Sequence, residues 1–164
     1  HLSYPEYAQT SRICYGRFRL NENAGRRFLV YTTHWSWNRP EVADMEMRFY
    51  ADTVVRMRAE NRNIPAFCTA DYNTQWHSER YLAFCRRSGE VDSFDLAKAN
   101  GKTVNELQAF GRPGDEGRGW EDYTKTIDHI FCPPDTVVHR YETVMDNRMI
   151  DLSDHAPRYA DLSW

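Results

Sequence analysis

Residues 64–70 (IPAFCTA) form a nearly continuous apolar run between two stretches of helical periodicity. So short a run reads as a strand, and a strand without a polar side must be covered on both faces. That requirement fixes a layered architecture with helices packed on a sheet. Upstream, Ala43, Met47, Tyr50, Ala51, Val54 and Met57 recur at helical spacing, with Pro40 suited to the first turn and Asn61, Asn63 and Pro65 ending the segment. Downstream, residues 78–88 are again helical, with Ser78 as the cap and Gly89 as the stop.

Before this unit, residues 12–20 (RICYGRFRL) and 26–33 (RRFLVYTT) alternate apolar with polar side chains around NENAG, which predicts a β-hairpin. After it, residues 99–122 concentrate glycine and charge (NGKT, GRPGDEGRGWED) and read as a long irregular excursion facing substrate. Strands are predicted at 126–132, 137–144 and 158–162. Helices and strands alternate first and strands dominate later. The class is therefore α/β (α+β), with a mixed sheet, and the 164 residues are expected to form one domain without repeat or linker.

Composition narrows the partners. Hydrophobic residues at 41% and aromatic residues at 14% exclude a disordered chain. A net charge of -3 gives no general attraction to a polyanion, although Arg12, Arg17, Arg19, Arg26 and Arg27 make the first segment locally basic. Cys14, Cys68, Cys85 and Cys132 contain no CxxC pair, so neither a zinc ribbon nor a thioredoxin-like motif is indicated, and buried free thiols are expected. There is no transmembrane segment, because no stretch approaches ~20 apolar residues. The first residues, HLSYPEYAQTS, lack the charged start and apolar centre of a signal peptide, and the compartment stays open.

Polar, chemically competent residues stand at the ends of four apolar strands: Thr33-His34, Asp71-Tyr72-Asn73, Ile127-Asp128-His129 and Ser153-Asp154-His155. Each has an ordinary explanation when taken singly, since Asp-x-Asn commonly turns on its own backbone and a lone histidine at a strand end is usually structural. Asp128 inside an apolar strand is the exception, because a buried carboxylate needs a partner such as a histidine. His77, His129 and His139 read as structural or surface residues.

Taken in order, FLVYTTHW, FCTADYN, TIDHIF and LSDHAPRYADL resemble the endonuclease/exonuclease/phosphatase superfamily, the DNase I-like metal-dependent phosphoesterases. The likeness runs from about Arg12 to Leu162. It departs at Ala70, where the signature usually has Gly, and at Tyr72, where it usually has Phe. The resemblance implies a four-layer α/β/β/α sandwich. It also implies a hydrolase of phosphate esters in which His155 is the general base, held by Asp128. Asp154 would ligate Mg²⁺ or Mn²⁺, Asn73 would position the phosphate, Asp71 would orient water or assist the leaving oxygen, and His34 would donate to a phosphoryl oxygen. Apart from the resemblance, Trp35, Trp37, Trp76 and Trp120 fall in the loops beside these motifs and in the glycine-rich excursion, where rings either stack on substrate, the role expected of Trp35 and Trp120, or cap the core beneath the loops. The implied substrate is a phosphate ester: nucleic acid, nucleotide, phospholipid or inositol phosphate.

Family members are longer, and their first strands supply an Asn and a metal-ligating Glu that this chain does not match. The resemblance therefore implies the C-terminal portion of the fold, with the missing N-terminal half or a second copy as a partner. An alternative of another class is a non-catalytic or split-enzyme fragment that serves as a binding and assembly module.

Overall fold

The computed structural model describes residues 2–3, 10–21, 25–62, 64–105, 126–146 and 153–164. The hairpin predicted around NENAG is present as β3 (Cys14–Arg19) paired antiparallel with β4 (Arg27–His34). It follows a short ribbon of β1 (Leu2–Ser3) and β2 (Thr10–Ser11). β4 pairs in parallel with β5 (Ala66–Asp71), and β5 pairs antiparallel with β8 (Asp128–Cys132), whose other edge takes β6 (Val91–Asp92). The result is a mixed five-stranded sheet in the order β3-β4-β5-β8-β6.

Successive side chains of a strand point to opposite faces, and this sheet uses the two faces differently. Leu29 and Tyr31 of β4, Ala66 and Cys68 of β5 and Phe131 of β8 pack under α1 (Pro40–Glu60) and α2 (Glu79–Ser88) with Met47, Tyr50, Val54 and Phe84. Pro40 occupies the first turn of α1, where its missing N–H costs nothing. Ser78 caps α2 by accepting from Tyr81 N–H, and Gly89 ends it in the left-handed conformation (φ 75°) that glycine adopts without strain. The two helices are tied together by Arg80, which donates to the Asp44 carboxylate (2.7 Å) and to Pro40 O (3.0 Å).

A second sheet, in the order β10-β9-β7, joins β9 (Val137–Thr143) antiparallel to β10 (Arg158–Ser163) and parallel to β7 (Thr103–Val104). It shares an apolar cluster with α3 (Ser93–Ala99) through Phe94, Ala97, Val138 and Tyr141. On the sheet face turned from α1, Phe28, Val30, Phe67 and Ile130 look towards Ala160, Leu162 and Trp164 across a cavity of about 420 Å³.

Two sequence expectations are corrected. Residues 99–105 are not the start of an irregular excursion: they complete α3, whose cap Asp92 accepts from Phe94 N–H, and enter β7. Seven residues are too few for periodicity to declare a helix. The remainder of that excursion, with Trp120, lies outside the described residues. All four cysteines are free, with Cys68 and Cys132 buried as expected, Cys85 half-buried and Cys14 exposed.

Candidate active site

Strand register assembles the site. His34 on β4 is the partner of Asp71 on β5, and Asp71 is the partner of Asp128 on β8, so three titratable side chains stand in one row across three strands. His155 enters from the segment leading into β10, its backbone N–H donating to Ser153 Oγ (3.0 Å). Its Nδ1–H donates to Asp128 Oδ2 at 2.9 Å. In the neutral ring this leaves Nε2 with the lone pair, 3.8 Å from Asp71 Oδ2.

Asp71 is the hub of the row. Its Oδ1 accepts from Asn73 N–H (2.8 Å), and its Oδ2 lies 3.3 Å from His34 Nε2. Burial pushes its carboxyl above the usual range, and the charge of Asp128 adds to this against the lowering effect of the Asn73 N–H. His155 is raised in turn, chiefly by its hydrogen bond to Asp128 and then, against the lowering effect of burial, by the charges of Asp128, Asp71 and Asp154.

Asn73 links the row to its rim. It adopts φ 46°, a left-handed conformation that asparagine tolerates better than most residues. Its side-chain amide donates to Trp35 O (2.8 Å), which closes the β4 and β5 loops on each other, and lies 3.3 Å from His34 Nε2. That nitrogen can serve only one neighbour at a time. As donor it meets Asp71, and as acceptor it takes the Asn73 amide hydrogen.

The structure brings His34, Asp71, Asn73, Asp128 and His155 together. Asp71, Asp128 and His155 each offer a ligand atom within 4.8 Å of the others, an oxygen-rich cluster suited to a hard divalent cation. Asp154, adjacent to His155, is exposed and stands outside that cluster. Trp35 is corrected. Only 1% of it is exposed, with its ring packed edge-on against Tyr50, Tyr72 and Phe84, so it cannot stack on substrate. The exposed ring on this loop is Trp37, at 70%.

Three residues support the site without a reactive signature in the sequence. Glu46, buried on α1 with its carboxyl raised by that burial, accepts from Ser36 N–H (2.7 Å) and Ser36 Oγ (3.2 Å) and so fixes the loop carrying Trp37. His129 points away from its neighbour Asp128 into the core, between Asp92 Oδ2 (2.9 Å) and Thr74 O (2.9 Å), and braces the loop after Asn73. Arg158 lies beneath Asp128 with 3% of its side chain exposed.

The family model described as Endonuclease/Exonuclease/phosphatase family matches residues 5–155, a span that includes the whole row. The chain belongs to the endonuclease/exonuclease/phosphatase family. Solved structures agree in fold. A mannosyl-6-phosphatase of Bacteroides thetaiotaomicron VPI-5482 superposes with a TM-score of 0.74 at 22% identity, over 93% of this chain and 57% of that one. A family protein from Bacteroides vulgatus gives 0.71 at 23% identity, over 92% and 54%. The human Nocturnin catalytic domain with bound sulfate gives 0.64 at 17% identity, over 92% and 52%. These likenesses establish the DNase I-like α/β/β/α sandwich as the fold, and the chain spans just over half the length of each of these structures. No curated protein matches it in sequence. Among the described residues no helix is long and apolar enough to cross a membrane.

Proposed function

We propose that the chain carries the catalytic row of a divalent-metal-dependent phosphoesterase, in which His155, oriented by Asp128, takes the proton from an attacking water. One observation carries this reading: the 2.9 Å contact of His155 Nδ1 with Asp128 leaves Nε2 directed at Asp71, in the row that also holds His34 and Asn73. An imidazole held in one tautomer by a carboxylate is a competent base near neutral pH, worth ~10² to 10⁴ in rate.

The residues present fit a metal. Two carboxylates crowded at the end of adjacent strands, one of them raised by burial and by its neighbour, gain from a cation between them. Asp71 and Asp128 would hold Mg²⁺ or Mn²⁺, with the exposed Asp154 beside His155 as the further ligand that the family resemblance implies. Bound there, the cation would neutralise charge on the phosphoryl oxygens. Asp71 would also orient the water. Asn73, its amide fixed on Trp35 O, would position the phosphate, and His34, exposed beside it, would donate to a phosphoryl oxygen.

The likeness to a mannosyl-6-phosphatase supports a phosphate ester on a sugar or another ring, and Trp37 offers a flat surface for such a group. A lipid or inositol phosphate is the alternative leaving group. Hydrolysis of mannose 6-phosphate, bis-p-nitrophenyl phosphate, supercoiled plasmid and inositol phosphates, with and without Mg²⁺ and in wild type against His155→Ala, tests the reading. Metal-dependent release that His155→Ala abolishes supports it. Release that His155→Ala leaves intact overturns it.

A further inference from the structure

Arg158 is an unusual residue to find inside this fold. Its backbone belongs to β10, opposite Thr143 of β9, and its side chain is 97% removed from solvent. Burying a guanidinium is unfavourable unless it is paired and its N–H groups are used. An unbranched apolar side chain would fill the same volume without that cost.

The N–H groups are largely unspent. Nη1 donates to the backbone carbonyl of Asp128, while Nε and Nη2 make no hydrogen bond of good geometry among the described residues, the buried Tyr141 hydroxyl being the other polar group that interacts with the guanidinium. Among those residues the one carboxylate paired with it is that of Asp128, with Oδ2 4.0 Å from Nη2. The same Oδ2 accepts from His155. A cavity of about 310 Å³ lies alongside, lined by Asp128, Ser153, His155 and Arg158 itself.

We propose that Arg158 is a positioning residue for the Asp128–His155 pair, gripping the Asp128 backbone through Nη1 and placing a fixed positive charge 4.0 Å from the carboxylate oxygen that His155 uses. The carboxylate is thereby held in the rotamer that presents Oδ2 to His155 Nδ1. A buried cation beside Oδ2 disfavours rotation of the carboxylate away into the adjacent cavity, so the imidazole keeps one orientation. The catalytic consequence rests on the phosphoesterase reading; the positional one does not.

The test compares wild type, Arg158→Met, Arg158→Lys and Arg158→Ala in the full chain. The first readout needs no activity: the proton NMR resonance of His155 Nδ1–H, identified by its disappearance in His155→Ala. It should be sharp in wild type and lost or broadened by solvent exchange in Arg158→Met, with partial retention in Arg158→Lys. An unchanged resonance in folded Arg158→Met overturns the proposal. In the second readout, Arg158→Met should lower kcat on bis-p-nitrophenyl phosphate by about 10- to 100-fold with KM little changed. Added guanidinium should restore rate to Arg158→Ala. Equal kcat in wild type and Arg158→Met, with His155→Ala inactive, also overturns it. Undiminished activity in His155→Ala would instead sink the hydrolase reading and leave the resonance to decide Arg158. Should Arg158→Met fail to fold by circular dichroism, Arg158→Lys and guanidinium-loaded Arg158→Ala carry the same comparison.

Discussion

Asp71 and Asp128 are directly opposed across the antiparallel β5–β8 pair, and each carboxylate reaches a different nitrogen of one imidazole, that of His155. On the proposed reading, these two acids have different roles. Asp128, at 2.9 Å, fixes the ring, and Asp71, at 3.8 Å, faces the nitrogen that would do chemistry. Asp128→Asn should therefore lower kcat by ~10² to 10⁴, and His155→Ala by a similar factor. The double variant should be no worse than His155→Ala, because the two act as a unit. Steady-state rates of the three variants check this.

Cation binding should be visible without turnover. If Asp71 is a ligand, Mg²⁺ or Mn²⁺ raises the thermal midpoint of the wild type with concentration, and Asp71→Asn loses most of that rise. Thermal denaturation across a metal titration measures it. Chelation should abolish hydrolysis by the wild type and be reversed by added metal.

Trp35 and Trp37 should separate cleanly. Trp35→Ala empties a buried site among Tyr50, Tyr72 and Phe84 and should cost about 3–5 kcal/mol in denaturant unfolding. Trp37→Ala should leave stability within about 0.5 kcal/mol. It should also raise KM for ring-bearing phosphates about fivefold or more, the equivalent of ~1 kcal/mol of lost stacking.

Asn73 combines a left-handed backbone with an amide that spans two loops. Asn73→Gly keeps the backbone and loses the amide, so it should retain most of its stability and lose activity. Asn73→Ala loses both and should be the less stable of the two. Unfolding curves and rates measured on the same preparations decide.

Stability should fall as pH rises from mildly acidic to neutral. Burial pushes Glu90 up to about 7 from its ordinary 4.5, with Arg58 only partly offsetting it. The unfolded chain thus gives up this proton first, and the folded state loses stability from about pH 4.5 until the slope ends above about pH 7. His155 acts in the same direction. Its raised pKa contributes stability that is complete below its ordinary 6.5 and disappears as pH passes through the raised value. Thermal midpoints across this range should decline in the wild type and flatten in Glu90→Gln.

Much of this is written in sequence periodicity. The β3–β4 hairpin, α1, α2 with its Ser78 and Gly89 caps, and β5 follow from period and punctuation, whereas the five residues brought together are singled out by the family resemblance of four strand-end motifs, each ordinary by itself. What escapes a linear reading is direction. Trp35 follows His34 by one residue and therefore points to the opposite face, into the core. His129 follows Asp128 and does the same. Glu46 sits within the stripe that includes Ala43, Met47 and Tyr50, so a carboxylate among apolar neighbours is its one available signal. Arg158 gives no such signal, since arginines are mostly exposed and only coordinates reveal one folded under Asp128.

The in-register row of His34, Asp71 and Asp128 has a mechanical consequence. Sliding β5 by one residue against its neighbours would rotate Asp71 beneath the helices and put Ala70 in its place. The three backbone positions therefore have no hinge of their own, and only side-chain rotation, as at Asp128, is left to them. Their mutual spacing is as exact as the hydrogen-bonded lattice that carries them, and rearranging them means unzipping the middle of the molecule.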